Sequence, residues 1–557
     1  MKKTIIFLVL VSLFWSCEEE FLDEKPEDFL SSANAYTNYA DFTASVNNLY
    51  FLVRRQFYDR DENRPFDFIY GTDLVYDGEP GGSQRHGNME QAYRPDGDIA
   101  TTHWNLLYKT IAEANTVIGR APASEMSEAE AKDIISQARF FRGFAYRVLV
   151  TLYGGVPLVT EEVTAPKIDF VRASKEDVLN QVVEDLTFAS QNLPSITEAT
   201  DGRINNLVAY HYLAETYLAL GKNTEAITAA SMVIDDSNTD LMRTRFGSRS
   251  TETPGDVFWD LYRKNNQNRT SGNKESLWVI QFELDVQGGG LQSGNRGGSY
   301  AFERHFAPLL RFRPFNSWPV GDYTGGRGIG WGITTEFYSN QIWGGDASNP
   351  DFTNDIRNAN HNFVRVYNRD NSSALGILAN DIGRDTIWST ETQPRRREFY
   401  AYPSKITTPY NHPDGLLRPG SVPFALTSSA GGTYTDQYML RLAETYLLRA
   451  EAYLANSQPA LAAADVNVVR SRANASLATS SQMNIDYILD ERARELGLEE
   501  KRRLTLMRTG QLYDRVIENN PFYVQQGMQE HFNLWPIPAD EIEGNRGAEL
   551  QQNPGYN

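Results

Sequence analysis

Leu213-Ala-Glu-Thr-Tyr-Leu218 recurs letter for letter as Leu442-Ala-Glu-Thr-Tyr-Leu447, and a related block, Ala450-Glu-Ala-Tyr-Leu-Ala455, begins eight residues after Leu442. Around the first copy, Ala214, Tyr217, Gly221, Ala226 and Val233 fall in the frame of a tetratricopeptide hairpin. Around the second, Ala450, Tyr453, Ala462 and Val469 match, with Ser457 where the first copy has Gly221. Small residues at these places let two helices approach closely, and Tyr fills the gap between hairpins. One hairpin cannot bury its apolar face alone, so such units stack.

Outward from this repeat, helical patterning extends over both ends of the chain. Tyr36 to Leu52 is one candidate helix. Trp104, Tyr108 and Ile111 share a helical face. Glu128 to Tyr153 forms a long apolar-faced helix that ends at Gly154-Gly155, with Pro157 barring renewal. Ser174 caps a fourth, with Asp177 at capping-box spacing, and Val178, Val182, Leu186 and Leu193 make its buried stripe. Helices resume from Tyr438 to about Arg472 and from Asn484 to about Leu512. Leu534-Trp-Pro-Ile-Pro538 must be extended, because two prolines forbid helix.

Between the copies the composition changes. Residues 245–435 hold 23 of the 41 glycines and six of the nine tryptophans. Ser276 to Leu284 alternates like a strand. The rest reads as loops, which at this length are functional or disordered, and six tryptophans argue for order. The expected fold is mainly α: a tetratricopeptide-like helical-repeat scaffold, residues 36–244 and 436–557, carrying a large loop-rich insertion with short strands, residues 245–435.

The N-terminus predicts export. Lys2 and Lys3 precede an apolar run from Ile5 to Trp15, then Ser16 and Cys17. Cys17 is the only cysteine, so no disulfide forms within the chain. Its position after the apolar run matches a lipidation site, with Phe14 departing from the usual Leu. The expectation is a signal peptide over 1–16, lipidation of Cys17 and a tether over 17–35. Acyl chains on Cys17 would hold the protein on a membrane. Loss of Lys2 and Lys3 lowers the net charge from −19 to −21. Such a surface does not suit nucleic acid. Glu18 to Glu20 read as a solvated tether or as a signal for display on the outer face.

Catalytic patterns are missing. There is no HExxH, phosphate-binding loop, nucleophile elbow or cysteine nucleophile, and the seven histidines show no metal-ligand spacing. Asp59, Asp61 and Asn63 open like a calcium loop, but Arg64 stands where glycine is required. No cofactor and no metal are expected. Binding is better supported, because aromatics stack on sugar rings while Asp, Asn and Arg meet the hydroxyls. Two segments offer that mixture: Tyr70, Asp73, Tyr76 and Asp77 leading to Arg85 and Tyr93, and Asn316, Trp318, Asp322, Tyr323, Arg327 and Trp331. Trp104 and Trp278 lie on periodic elements and are expected to be structural, and Trp535 to dock the tail.

Several blocks together resemble the SusD/RagB family of outer-membrane nutrient-binding lipoproteins. They include Gln137-Ala-Arg-Phe-Phe-Arg-Gly-Phe-Ala-Tyr146, Leu152-Tyr-Gly-Gly-Val-Pro-Leu-Val159 and the Ala209–Ile234 hairpin. Further on come Met439-Leu-Arg-Leu-Ala-Glu444, Asp490-Glu-Arg-Ala-Arg-Glu-Leu496, Arg508-Thr-Gly510 and the Leu534–Pro538 tail. Arg503 and Thr505 depart from the family, which often has Trp and Asp there. The resemblance implies a glycan ligand, or a peptide in some members, and a TonB-dependent transporter of the SusC-like barrel type as partner. It implies outer-membrane anchoring through lipid and no enzymatic activity. A peptide-capturing importer component and a surface glycoside hydrolase are the alternatives, the latter requiring two inward carboxylates in one cleft.

Overall fold

The structure is a computed structural model. It describes residues 35–59, 64–78, 86–286, 288–291, 300–309, 326–367, 377–378, 397, 400–407, 411–418, 425–427 and 432–556. Cys17, the tether before residue 35, Arg85, Asn316, Trp318, Asp322 and Tyr323 lie outside the described residues.

Helices dominate both ends. The N-terminal part holds α1 (Tyr39–Phe57), α2 (Asp98–Arg120), α3 (Glu128–Tyr153), α4 (Lys175–Asn192), α5 (Asn206–Ala219) and α6 (Asn223–Ile234). Their starts follow from local chemistry. Asn38 with Asp41, and Ser127 with Glu130, form reciprocal capping boxes, and Ser174 accepts from the Asp177 N–H. Gly154, at φ +72°, stops α3 as the sequence predicts. α1 begins three residues later than expected and runs on to Phe57.

The C-terminal part holds α7 (Leu442–Ala455), α8 (Pro459–Arg472), α9 (Ile485–Leu496), α10 (Arg502–Arg508) and α11 (Leu512–Asn519). The helix expected from Asn484 to Leu512 is therefore three shorter pieces, and the first break holds Leu498 at φ +64°. Residues expected to open a helix at Tyr438 instead form a strand, Gln437–Arg441. A partner strand captures that backbone before α7 starts.

The repeated hexapeptide sits on equivalent helices, α5 and α7. Ala214, Ala226, Ala230 and Val233 are buried in the first hairpin, as are Ala443, Ala450, Ala462 and Val469 in the second. Both hairpin turns use a left-handed residue, Gly221 at φ +71° and Ser457 at φ +58°. α6 packs on α7, and Arg449 of α7 clamps Asp465 of α8 with two 2.8 Å bonds while reaching Ser231 of α6 at 3.0 Å.

Strands are short among the described residues: β2 (Ser276–Ile280) and β3 (Gly332–Thr334) of the insertion pair with β4 (Gln437–Arg441) and β1 (Val75–Asp77) of the scaffold. β2 runs antiparallel to β4, which stitches the early insertion to the strand leading into the second hairpin. Trp278 of β2 lies between Phe140, Phe141 and Phe144 of α3. A buried ionic cluster reinforces this seam. Arg441 bonds Glu275 at 2.6 Å, Glu495 at 2.5 Å and Glu499 at 2.7 Å, while Arg357 bonds Asp355, Glu491 at 2.8 Å and Glu495 at 3.0 Å. Each charge has partners, which a dry interior requires. The tail is extended, and Trp535 is buried against Tyr153 and His103, with its backbone N–H donating to the Leu152 carbonyl at 2.6 Å. Among the described residues no helix is long and apolar enough to cross a membrane.

Candidate functional site

The end of the second segment, at Trp331, meets the first. β1 and β3 pair antiparallel, with Val75 opposite Thr334, Tyr76 opposite Ile333 and Asp77 opposite Gly332. The Gly78 N–H extends the ladder to the Trp331 carbonyl at 2.6 Å. Glycine at 332 is required, because a Cβ there would stand 2.4 Å from Phe306. Residues 64–78 are thereby locked to residues 300–309 and 326–334.

The contribution of the first segment differs from expectation. Tyr70, Asp73, Tyr76, Asp77 and Tyr93 are each no more than 2% exposed. Tyr70 stacks on His86, and its hydroxyl lies 3.0 Å from His305 Nδ1. Asp73 receives two bonds from Arg502, at 2.9 and 2.6 Å, and a third from Arg515 at 3.1 Å. Burial raises the Asp73 carboxyl, but the two guanidinium groups outweigh it and hold the group below its ordinary value. Arg503, a departure from the family pattern, donates to the carbonyls of Asp67, Tyr70 and Gly71 and lies 4.8 Å over the Tyr93 ring. Tyr70, Asp73 and Tyr76 thus lie buried in the floor of the junction, where the sequence reading expected ligand-facing side chains. The polar, aromatic composition reads as surface, but arginines more than 400 residues away satisfy it inside.

Two residues of the second segment are described. Trp331 and Arg327 are both half-buried. The Trp331 ring rests edge-on to His305 at 5.0 Å, with the Arg304 guanidinium 5.5 Å from its centroid. Arg327 is placed through its backbone, whose N–H donates to Glu303 Oε1 at 2.6 Å. Glu303 is itself buried, with the Thr407 hydroxyl at 2.7 Å and His412 Nε2 at 2.8 Å. Arg304, His305 and Glu303 escaped the sequence reading. The signal was the Phe302-Glu-Arg-His-Phe306 block, where two phenylalanines flank three polar, ionisable residues.

The arrangement is a supported aromatic with cationic neighbours, suited to stacking and to hydrogen bonding with hydroxyls. Among the described residues no group of three His, Cys, Asp or Glu side chains is placed to hold a metal ion. Asp59 is paired with Arg64, the residue that stands where a calcium loop requires glycine. The carboxylates at the junction, Asp67, Asp73 and Glu303, all have histidine or arginine partners.

Comparison with known proteins agrees with this architecture. Residues 274–556 match the model of the SusD family, and residues 20–218 match a second model described as starch-binding and associating with the outer membrane. SusD-like protein P25 of Formosa agariphila is 24% identical, with 98% of this chain and 97% of that protein aligned. Starch-binding protein SusD of Bacteroides thetaiotaomicron is 35% identical over 22% of each chain. Among solved structures, a laminarin binding SusD-like protein superposes with a TM-score of 0.66 at 20% identity, covering 94% of this chain and all of the other. Surface glycan-binding protein A of Bacteroides thetaiotaomicron, in complex with laminarihexaose, gives a TM-score of 0.64 at 17% identity, over 93% of this chain and all of the other. With one family model spanning the C-terminal half and a second matching the N-terminal helices, the stacked hairpins and their stitched insertion are those of a member of the SusD family.

Proposed function

We propose that this chain is a cell-surface lipoprotein that captures oligosaccharides and passes them, unaltered, to a TonB-dependent transporter of the outer membrane. The observation carrying this reading is the β1–β3 junction, which sets half-buried Trp331 beside Arg304 on a floor made rigid by Asp73 and its arginines. A flat ring there takes the C–H face of a sugar. Asn316, Trp318, Asp322, Tyr323 and Arg85, outside the described residues, stay within this proposal on their residue types. The relatives support a glycan ligand, since two carry laminarin or laminarihexaose in their descriptions and a third carries starch. Cys17 supplies the lipid anchor.

Binding of the full-length protein to laminarin, starch and a set of oligopeptides tests this reading. We expect a glycan to bind without shortening. Trp331→Ala should weaken it about fivefold, the loss of one ring contact worth about 1 kcal/mol. Peptide binding with no glycan binding, or release of shorter sugars during incubation, would reject it. Mass spectrometry of protein from its host should find acyl chains on Cys17.

A further inference from the structure

A second concavity lies outside the insertion. It opens between α2, residues 157–170 and residues 541–550, and encloses about 350 Å³, within the range of small-molecule sites. None of its lining residues belongs to 245–435.

Its walls are apolar and aromatic: Trp104, Tyr108 and Ile111 from α2 face Val159, Phe170 and Leu550. Several polar groups nearby are already spent. Asn115 donates to the carbonyls of Val159 at 2.9 Å and Glu161 at 3.2 Å, and Asn545 holds both backbone groups of Phe170. Glu162 is bonded twice by Arg120, at 2.9 and 2.6 Å. The Tyr108 hydroxyl donates to the Pro157 carbonyl at 2.7 Å. These bonds fix the walls. The functions left facing the cavity are the exposed side chains of Asn105 and Glu161 and the half-buried carboxyl of Glu541. Burial raises the Glu541 carboxyl above its ordinary value, although the Trp104 side chain hydrogen-bonds it.

An apolar cleft with aromatic walls, one amide and two carboxyl groups matches a pyranose ring. The C–H face lies on the aromatics, hydroxyls donate to Glu161 and Glu541, and Asn105 both donates and accepts. Glu161, Glu162 and Glu541 would repel a uronate or a sulfated sugar. We propose that this cavity is a second saccharide site, selective for a neutral sugar residue and separate from the Trp331 surface. It rests on the reading that the protein binds glycans.

Calorimetric titration of the full-length protein with laminarihexaose, maltohexaose and an oligogalacturonate tests it. Two classes of site are expected for one of the neutral hexaoses. The pair Asn105→Ala and Glu161→Ala, both surface positions, should weaken one class at least tenfold without changing the melting temperature. Ala112→Trp, which places an indole in the mouth, should abolish the same class, and Trp331→Ala should remove only the other. Two classes that survive both cavity variants overturn the second site and leave glycan capture standing. Loss confined to the cavity variants, with Trp331→Ala silent, upholds the second site and overturns the placement of capture at Trp331. Heat from no neutral hexaose overturns both readings, and a cavity that prefers oligogalacturonate overturns the neutral-sugar assignment.

Discussion

The six residues Leu-Ala-Glu-Thr-Tyr-Leu occur twice, on α5 and α7, and the two copies agree in shape while differing in charge. Ala214 and Ala443 are both fully buried at helix contacts. Glu215 and Glu444 follow them, yet the two carboxyls move in opposite directions. For both, burial is the largest influence and raises the carboxyl. At Glu215, Arg147, bonded at 2.7 Å, and Arg508 outweigh it, and the carboxyl ends below its ordinary value. At Glu444, Arg492 at 2.8 Å is offset by the neighbouring Glu500 and Glu215, and the carboxyl is pushed up to about 7. Helix-to-helix fit is thus carried by the segment itself, and protonation by what the fold brings beside it.

The sharpest test of that contrast removes each carboxylate. Glu215→Ala strips Arg147, a buried guanidinium, of its partner and should cost about 3 kcal/mol. Glu444→Gln should lie within about 1 kcal/mol of neutral at pH 7, because burial and the neighbouring Glu500 and Glu215 already push its carboxyl up. Urea unfolding of both variants measures this, and equal losses would dissolve the contrast.

Overpacking comes next. Ala214→Leu and Ala443→Leu should each cost about 1–3 kcal/mol, because both Cβ atoms face a neighbouring helix. A large loss in one copy and none in the other would break the equivalence of the hairpins.

The turns give a smaller effect. Ser457 holds φ +58° where its counterpart Gly221 holds +71°. Ser457→Gly should stabilise by up to about 1 kcal/mol, and Gly221→Ser should destabilise by about as much. A Cβ at Gly221 would meet nothing within 4 Å, so backbone conformation alone is tested.

The smallest effect is pH dependence. Glu444 has a folded pKa near 7 against an ordinary 4.5, so its contribution is complete below about pH 4.5 and is lost as pH rises through 7. Glu215 is the reverse, contributing above about pH 4.5 and losing that contribution as pH falls through its lower folded value. Between pH 5 and 8 the melting temperature should therefore fall more in the wild type than in Glu444→Gln. Parallel profiles would assign the slope to other groups.

Much of the scaffold was legible because its signals are local. Asn38, Ser127 and Ser174 cap the helices they precede, Gly154 ends α3, and alanines at fixed spacing mark the hairpin contacts. The strand at Gln437–Arg441 was missed because its hydrogen-bonding partner, β2, lies about 160 residues earlier, and a short apolar run ahead of a helix has no period that separates the two states. At the candidate site, composition singled out both segments, and the depth of each side chain was not legible. Tyr70, Asp73 and Tyr76 look like surface residues until Arg502, Arg503 and Arg515 are brought under them.

By itself, then, the order of residues determined that this chain is a stack of helical hairpins interrupted by a glycine- and tryptophan-rich insertion, since capping, periodicity and small-residue spacing act over a few positions. Only the tertiary structure decided which polar residues are interior. Burying a charge becomes tolerable when partners converge from distant parts of the chain, as Glu275, Glu495 and Glu499 do around Arg441. No local pattern records that convergence.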